Sequence, residues 1–339
     1  MNPTILFKKN TRSVFFHITT QCNLSCQHCY IDPKQHGSGS VTLESITQWL
    51  KHLKKENTDL VLLGGEPTLH PDLSKIVTLA RNIGFRSITI DTNGYLFHNI
   101  LNRVTPDDVD FFSFSLDGPD KNINDKIRGK GSFEACTKGI HEARKKGFSV
   151  SLIYTVSAMN LNALHQMPDL IQQLDIQRFF IQVIGIRGNS SKNLPDGIQL
   201  NYEQWTGQVP VIAQKVSQLG IPVTYPKVFL QKNEIFECAG KVAEFFFVFP
   251  NGRVYQCPLC EDYPIHSFEI SAHGLKKMPP INEQQLFNLS IPEGCVINKI
   301  VQPGNISYDQ DGHPVHRIAC CLLKEEIALD HPAHSFAHQ

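Results

Sequence analysis

The sequence has no surplus of charge: 32 Lys and Arg balance 32 Asp and Glu over 339 residues. A neutral chain has no general field to draw it to a nucleic-acid backbone or an anionic lipid surface, so neither is expected as a partner. No apolar run approaches the roughly 20 residues a membrane helix needs, and the first residues lack the charged-then-apolar pattern of an export signal. Internal repeats and low-complexity tracts are missing too, which removes solenoids and biased linkers. What remains is a cytoplasmic, globular protein, and 41% hydrophobic residues over this length can bury one large domain or two moderate ones.

Cysteine is the residue that is present in excess of need. An unexported chain sits where thiols stay reduced, so ten cysteines call for metal ligation before disulfides. Three fall at Cys22, Cys26 and Cys29 and six lie between Cys238 and Cys321. Cys136 stands alone within a helical pattern and is expected to be a core thiol.

Short β-branched or aromatic runs at Val14–Thr19, Leu60–Leu63, Ser87–Asp91, Phe111–Ser115, Val150–Thr155 and Phe179–Val183 read as six strands. Helical periodicity fills the gaps: Thr42–Glu56 puts Ile46, Trp49, Leu50 and Leu53 on one face behind a Thr cap, and Phe133–Lys146 and Asn162–Leu174 behave alike. Strict alternation of strand and helix predicts an α/β fold, a parallel sheet curled into a partial (βα)6 TIM-like barrel with its functional loops at the strand C-terminal ends. After about Gln231 the periodicity fades. Phe245–Pro250, Asn251-Gly252 and Val254–Tyr255 predict a β-hairpin inside a small C-terminal domain too thin to hold without a metal. The division expected is 1–235 for the barrel, 236–325 for the metal-binding domain and 326–339 for a flexible tail, whose three His between His331 and Gln339 are a minor metal-binding alternative.

Directly after the first strand, Cys22-Asn23-Leu24-Ser25-Cys26-Gln27-His28-Cys29 offers three thiolates on one short loop, enough for three corners of an iron–sulfur cubane and one open iron. Zinc with His28 as fourth ligand is the competing reading, although zinc prefers other spacings. One βα unit later Leu63-Gly64-Gly65-Glu66-Pro67 closes the second strand; glycines there permit close backbone approach, and Glu66 can accept from an ammonium. The triad spacing and the Gly-Gly-Glu-Pro turn together resemble the radical S-adenosylmethionine (SAM) superfamily. The resemblance covers residues 12–230. It implies a [4Fe–4S] cluster on Cys22, Cys26 and Cys29, SAM on the open iron, and SAM contacts from Gly64, Gly65, Glu66, Pro67, Asn93, Ser115 and Asp117. Arg128 is a candidate partner for the SAM carboxylate, with a solvated loop cation as its plain alternative, and His28 is placed near the adenine.

Cys238, Gly252 and Cys257 around the hairpin resemble the first half of the SPASM/Twitch extension, which implies an auxiliary [4Fe–4S] cluster. The compact four-cysteine run of the complete SPASM pattern is missing. Cys260, Cys295, Cys320 and Cys321 are the remaining ligand candidates; of the adjacent pair Cys320-Cys321 one is expected to ligate and the other to pack. A zinc knuckle at Cys257-Pro258-Leu259-Cys260 is the alternative there. The resemblance implies an enzyme that reductively cleaves SAM to a 5′-deoxyadenosyl radical and takes hydrogen from a substrate, fed by flavodoxin or ferredoxin. Peptide or protein modification is the first expectation, a small-molecule or cofactor synthesis the second, and a non-catalytic iron–sulfur sensor or scaffold the third.

Overall fold

A computed structural model of the chain describes residues 4–7, 11–188, 190–193 and 197–328. Its strands in chain order are β1 (Thr4–Ile5), β2 (Arg12–Thr19), β3 (Thr58–Gly64), β4 (Ser87–Thr92), β5 (Phe111–Ser115), β6 (Val150–Val156), β7 (Arg178–Val183), β8 (Val223–Pro226), β9 (Phe229–Leu230), β10 (Glu244–Val248), β11 (Arg253–Tyr255), β12 (Phe268–Ser271), β13 (Gly274–Lys277), β14 (Arg317–Ile318) and β15 (Lys324–Ile327). The six expected strands are β2 to β7, parallel and adjacent in sequence order. Two more parallel strands extend them, β8 beside β7 and β10 beside β2.

Period-two alternation decides what each strand presents. Phe16, Leu62, Ile90, Phe112, Leu152 and Phe179 enter the main core beneath the helices. The intervening side chains line the concave side of the sheet. The helix Leu43–Leu53 starts at Thr42, whose hydroxyl accepts from Ser45 N at 3.2 Å, and buries Ile46, Trp49, Leu50 and Leu53. Each such side chain contributes roughly 1.5–3 kcal/mol of burial. Cys136 is buried on the helix Ser132–Lys145, as expected.

Three features differ from the sequence reading. The helix expected over Asn162–Leu174 is broken into a 3-10 turn, Leu161–Gln166, and a helix Met167–Gln173, because Pro168 has no N–H to continue the first turn and instead opens the second. The hairpin forms as β10 and β11, yet β10 also pairs in parallel with β2, so the hairpin continues the barrel sheet. Glu326 and Ile327, assigned to the tail, belong to β15, held antiparallel against β8 through Thr224 and Val223; 329–339 lie outside the described residues, with the tail histidines among them. No helix among the described residues is long and apolar enough to cross a membrane.

Candidate functional site

The C-terminal ends of β2, β3, β4 and β5 carry the first group of candidate residues. The turn after β3 is clipped to the loop entering the cysteines: Gly65 N donates to Thr19 O and Glu66 N to Gln21 O, both at 2.8 Å. A Cβ on Gly64 would stand 2.1 Å from Thr19 O, and one on Gly65 2.2 Å from Gln21 O. The two glycines therefore admit the backbone that leads into Cys22, where the sequence reading had them admit a ligand. Pro67 opens a buried 3-10 turn, Pro67–Leu69, behind them.

Glu66 differs from expectation as well. Its carboxylate is fully buried and takes four donors: Thr68 N at 3.0 Å, Thr68 Oγ1 at 2.6 Å, Thr92 Oγ1 at 2.8 Å and Asn93 N at 2.7 Å. Burial pushes its pKa up while these bonds oppose the rise. An acceptor so occupied ties the β3 turn to the β4 turn instead of facing an ammonium. Asn93, thus held, donates to Asn23 Oδ1 at 2.8 Å, beside Cys22. Glu66→Ala should strip three residues of their acceptor and cost about 3 kcal/mol of stability, read as a lowered denaturant midpoint at unchanged slope.

The carboxylate open to the concave side is Asp91, which the sequence reading passed over. Burial and the nearby charge of Glu66 push its pKa up to about 7, opposed by a hydrogen bond from Ser113. No cation adjoins it among the described residues. Ser115, half-buried at the end of β5, shares that concave face, and its carbonyl receives the Cys136 thiol at 3.6 Å.

Asp117 and Arg128, both expected at the cofactor, are paired with each other. Arg128 Nε lies 2.6 Å and His28 Nε2 3.0 Å from Asp117 Oδ2, and Thr155 N donates to Oδ1 at 2.7 Å. Burial disfavours the Asp117 charge, but Arg128 and His28 outweigh it and hold the carboxyl well below the usual range. Arg128 is thus not a solvated loop cation. It braces the cysteine loop, since the Cys26 thiol donates to its carbonyl at 3.7 Å and Gln27 N to Ile127 O at 2.9 Å. His28 is oriented by Asp117 through Nε2, and its Nδ1 is buried without a hydrogen-bond partner among the described residues.

Cys22 is exposed, and Cys26 and Cys29 are half-buried. Burial pushes all three thiols up, Cys26 to about 12 against the pull of Arg128. Apart from an exposed Asp309, Asp311 and His313 group, no three candidate ligand atoms among the described residues lie within 4.8 Å of one another. Thiolates around one zinc, at about 2.3 Å each, would sit closer than that, whereas cubane corners are wider apart. Three spread thiols beside a buried cation fit an iron–sulfur cluster.

The second group assembles around Cys257. Its thiol meets those of Cys260 and Cys321, Cys321 meets Cys320, and Cys320 meets Cys238. Cys295 caps the helix Val296–Val301, its sulfur accepting from Asn298 N at 3.5 Å, and lies within the field of Cys320. Cys238, Cys257, Cys295, Cys320 and Cys321 line one cavity, with Cys260 buried behind Cys257. Contrary to expectation, Cys320 and Cys321 both face it. The chain leaves β14 and turns there, with Leu323 N donating to Cys320 O at 2.9 Å, so strand alternation no longer sends neighbours to opposite sides. Glu283 fixes the hairpin end, accepting from Gln256 N, Cys257 N and Ser267.

The sequence pattern of the Radical SAM superfamily matches residues 16–171. Fe-coproporphyrin III synthase of Methanosarcina barkeri is 29% identical over 63% of this chain and 54% of its own length, so the match spans about half of that relative. AdoMet-dependent heme synthase of the same organism is 26% identical over 73% of the chain and 76% of the relative. In fold, the chain is similar to Streptococcus suis SuiB bound to precursor peptide SuiA, with a TM-score of 0.67 at 13% identity over 86% of this chain and 70% of SuiB. With the thiol triad at the mouth of a partial barrel, these likenesses mark residues 16–171 as a radical SAM domain.

Proposed function

We propose that this protein cleaves SAM reductively at a [4Fe–4S] cluster on Cys22, Cys26 and Cys29 and uses the product to take hydrogen from a peptide or protein substrate. Bound there, cluster and SAM supply one-electron cleavage to methionine and a 5′-deoxyadenosyl radical, the electron coming from a flavodoxin- or ferredoxin-type donor. The chain's own residues bind and orient. Ile127, accepting from Gln27 N, and Asn93 fix the cysteine loop, Gly64 and Gly65 seat it on β3, and Asp91 receives the SAM ammonium on the concave wall. Ser115 stands ready for the ribose or carboxylate at the same rim.

The observation that carries the peptide reading is the thiol-lined cavity of Cys238, Cys257, Cys295, Cys320 and Cys321, apt for an auxiliary [4Fe–4S] cluster that receives an electron from the substrate radical. SuiB, with a similar fold, is recorded with a precursor peptide. The names of the two Methanosarcina relatives favour a second reading, a tetrapyrrole or other small molecule. The arginine beside the triad loop weighs against a polycarboxylate, because Arg128 is already paired with Asp117.

Reconstituted enzyme with SAM and dithionite is expected to release 5′-deoxyadenosine and methionine in equal amounts, slowly without substrate. A short peptide encoded beside the gene should raise that rate at least tenfold and gain or lose mass, while iron-coproporphyrin III should do neither. Stimulation by the porphyrin alone would transfer the assignment to the second reading, and no 5′-deoxyadenosine under any condition would revive the scaffold.

A further inference from the structure

Between the two thiol groups lies a half-buried cation, Arg187, that neither group requires as a ligand. Arg187 follows β7, and its guanidinium sits over the Tyr30 ring at 4.4 Å, one residue beyond Cys29. The same side chain pairs with the Glu261 carboxylate and donates to Pro258 O, both in the turn that follows Cys257. The next residue tightens the clamp: Gly188 N donates to Asp262 Oδ2 at 2.7 Å, and a Cβ on Gly188 would stand 2.1 Å from Tyr30 O. Tyr30 is fixed from the other side as well, by His17 Nε2 at 2.7 Å from its hydroxyl.

Arg187 therefore touches the segment after the third triad thiol and the segment after the auxiliary thiol Cys257. Its charge reaches a sulfur on each side, Cys29 and Cys321. An iron–sulfur cluster held by thiolates is anionic and gains a further negative charge on reduction, so a cation facing it favours the reduced form. A cation placed between two such sites acts on both with the same sign, and low local dielectric keeps its reach long.

We propose that Arg187 is a positioning residue shared by the two cysteine sites, one charge that raises the reduction potential of both clusters and, through Tyr30 and the 258–262 turn, fixes their separation. The inference rests on the two-cluster reading given above. Glu261 is its counterweight, so the net charge between the sites depends on the pair and not on Arg187 alone.

The experiment is a potentiometric titration of the reconstituted enzyme followed by electron paramagnetic resonance, with iron counted first. Arg187→Met should lower the reduced fraction of both clusters at a fixed potential at least tenfold, a shift of about 59 mV for a one-electron couple. Arg187→Lys, which keeps the charge but not the planar fork, should restore most of the potential of each. Glu261→Gln should move both the other way, which keeps the test valid if Arg187→Met does not fold. About eight irons with neither cluster shifted, with one shifted alone, or with Arg187→Lys as low as Arg187→Met would overturn the shared role. About four irons and a single signal would overturn it together with the auxiliary-cluster reading, and the iron count tells the two failures apart.

Discussion

Replacing Cys22, Cys26 and Cys29 together by Ala is expected to abolish 5′-deoxyadenosine formation, by at least a thousandfold, and to reduce reconstituted iron from about eight per chain to about four. The reason is local. All three thiols come from a loop held at both ends, to β3 through Gly65 and Glu66 and to the helix Lys121–Arg128 through Gln27, so no other cysteine can move in to replace them. The remaining iron should sit with the second group, because among the described residues Cys238, Cys257 and Cys321 share no hydrogen bond with the triad loop and Cys257 N keeps its own support from Glu283. Replacing Cys257 should do the converse, leaving SAM cleavage and removing substrate turnover. Iron that stays near eight in the triple variant would show that the triad holds none.

The second large effect is on stability. Arg128→Leu should destabilise the folded chain by about 3–5 kcal/mol, since it leaves Asp117 fully buried with its main counter-charge gone. Replacing Asp117 in the same chain should recover much of the loss, because the penalty is the unpaired charge and not the absence of the pair. The pH dependence has a fixed sign. Asp117 is held below its unfolded pKa near ~3.9, so in the wild type its contribution is fully present above that value and fades as pH falls through the lower folded value. In Arg128→Leu the carboxyl loses that support, and the variant's deficit should shrink on acidification as Asp117 takes up a proton. Urea denaturation at pH 7 and pH 5 measures both; a deficit that is the same at the two pH values would mean that the Asp117 charge is not its source.

The sequence by itself determined the elements and the chemistry of the first site. Residues that interact within one turn or across one β-unit leave a periodic trace, which is why β2 to β7 and the Thr42 cap were legible to within two residues at most ends. The spacing of Cys22, Cys26 and Cys29 is likewise local, because one loop supplies every donor. The broken helix at Pro168 was also written in the chain, as a residue without an N–H.

Only the tertiary structure decided the partners. Glu66 and Asp91 are both carboxylates at strand ends, and nothing local tells which is saturated by Thr68, Thr92 and Asn93 and which stays open. Arg128 read either as a partner for the SAM carboxylate or as a loop cation until the fold set it against Asp117. Cys238, Cys257, Cys295, Cys320 and Cys321 are spread over more than eighty residues of weakly periodic chain, and they share a cavity because β10 docks on β2 and the chain returns through β14. Arg187 stands in no motif, since its partners Tyr30 and Glu261 lie 157 residues before it and 74 after it. Local spacing fixes which donors a loop can offer, whereas the pairing of charges across the fold depends on burial, and burial exists only once the sheet has closed over them.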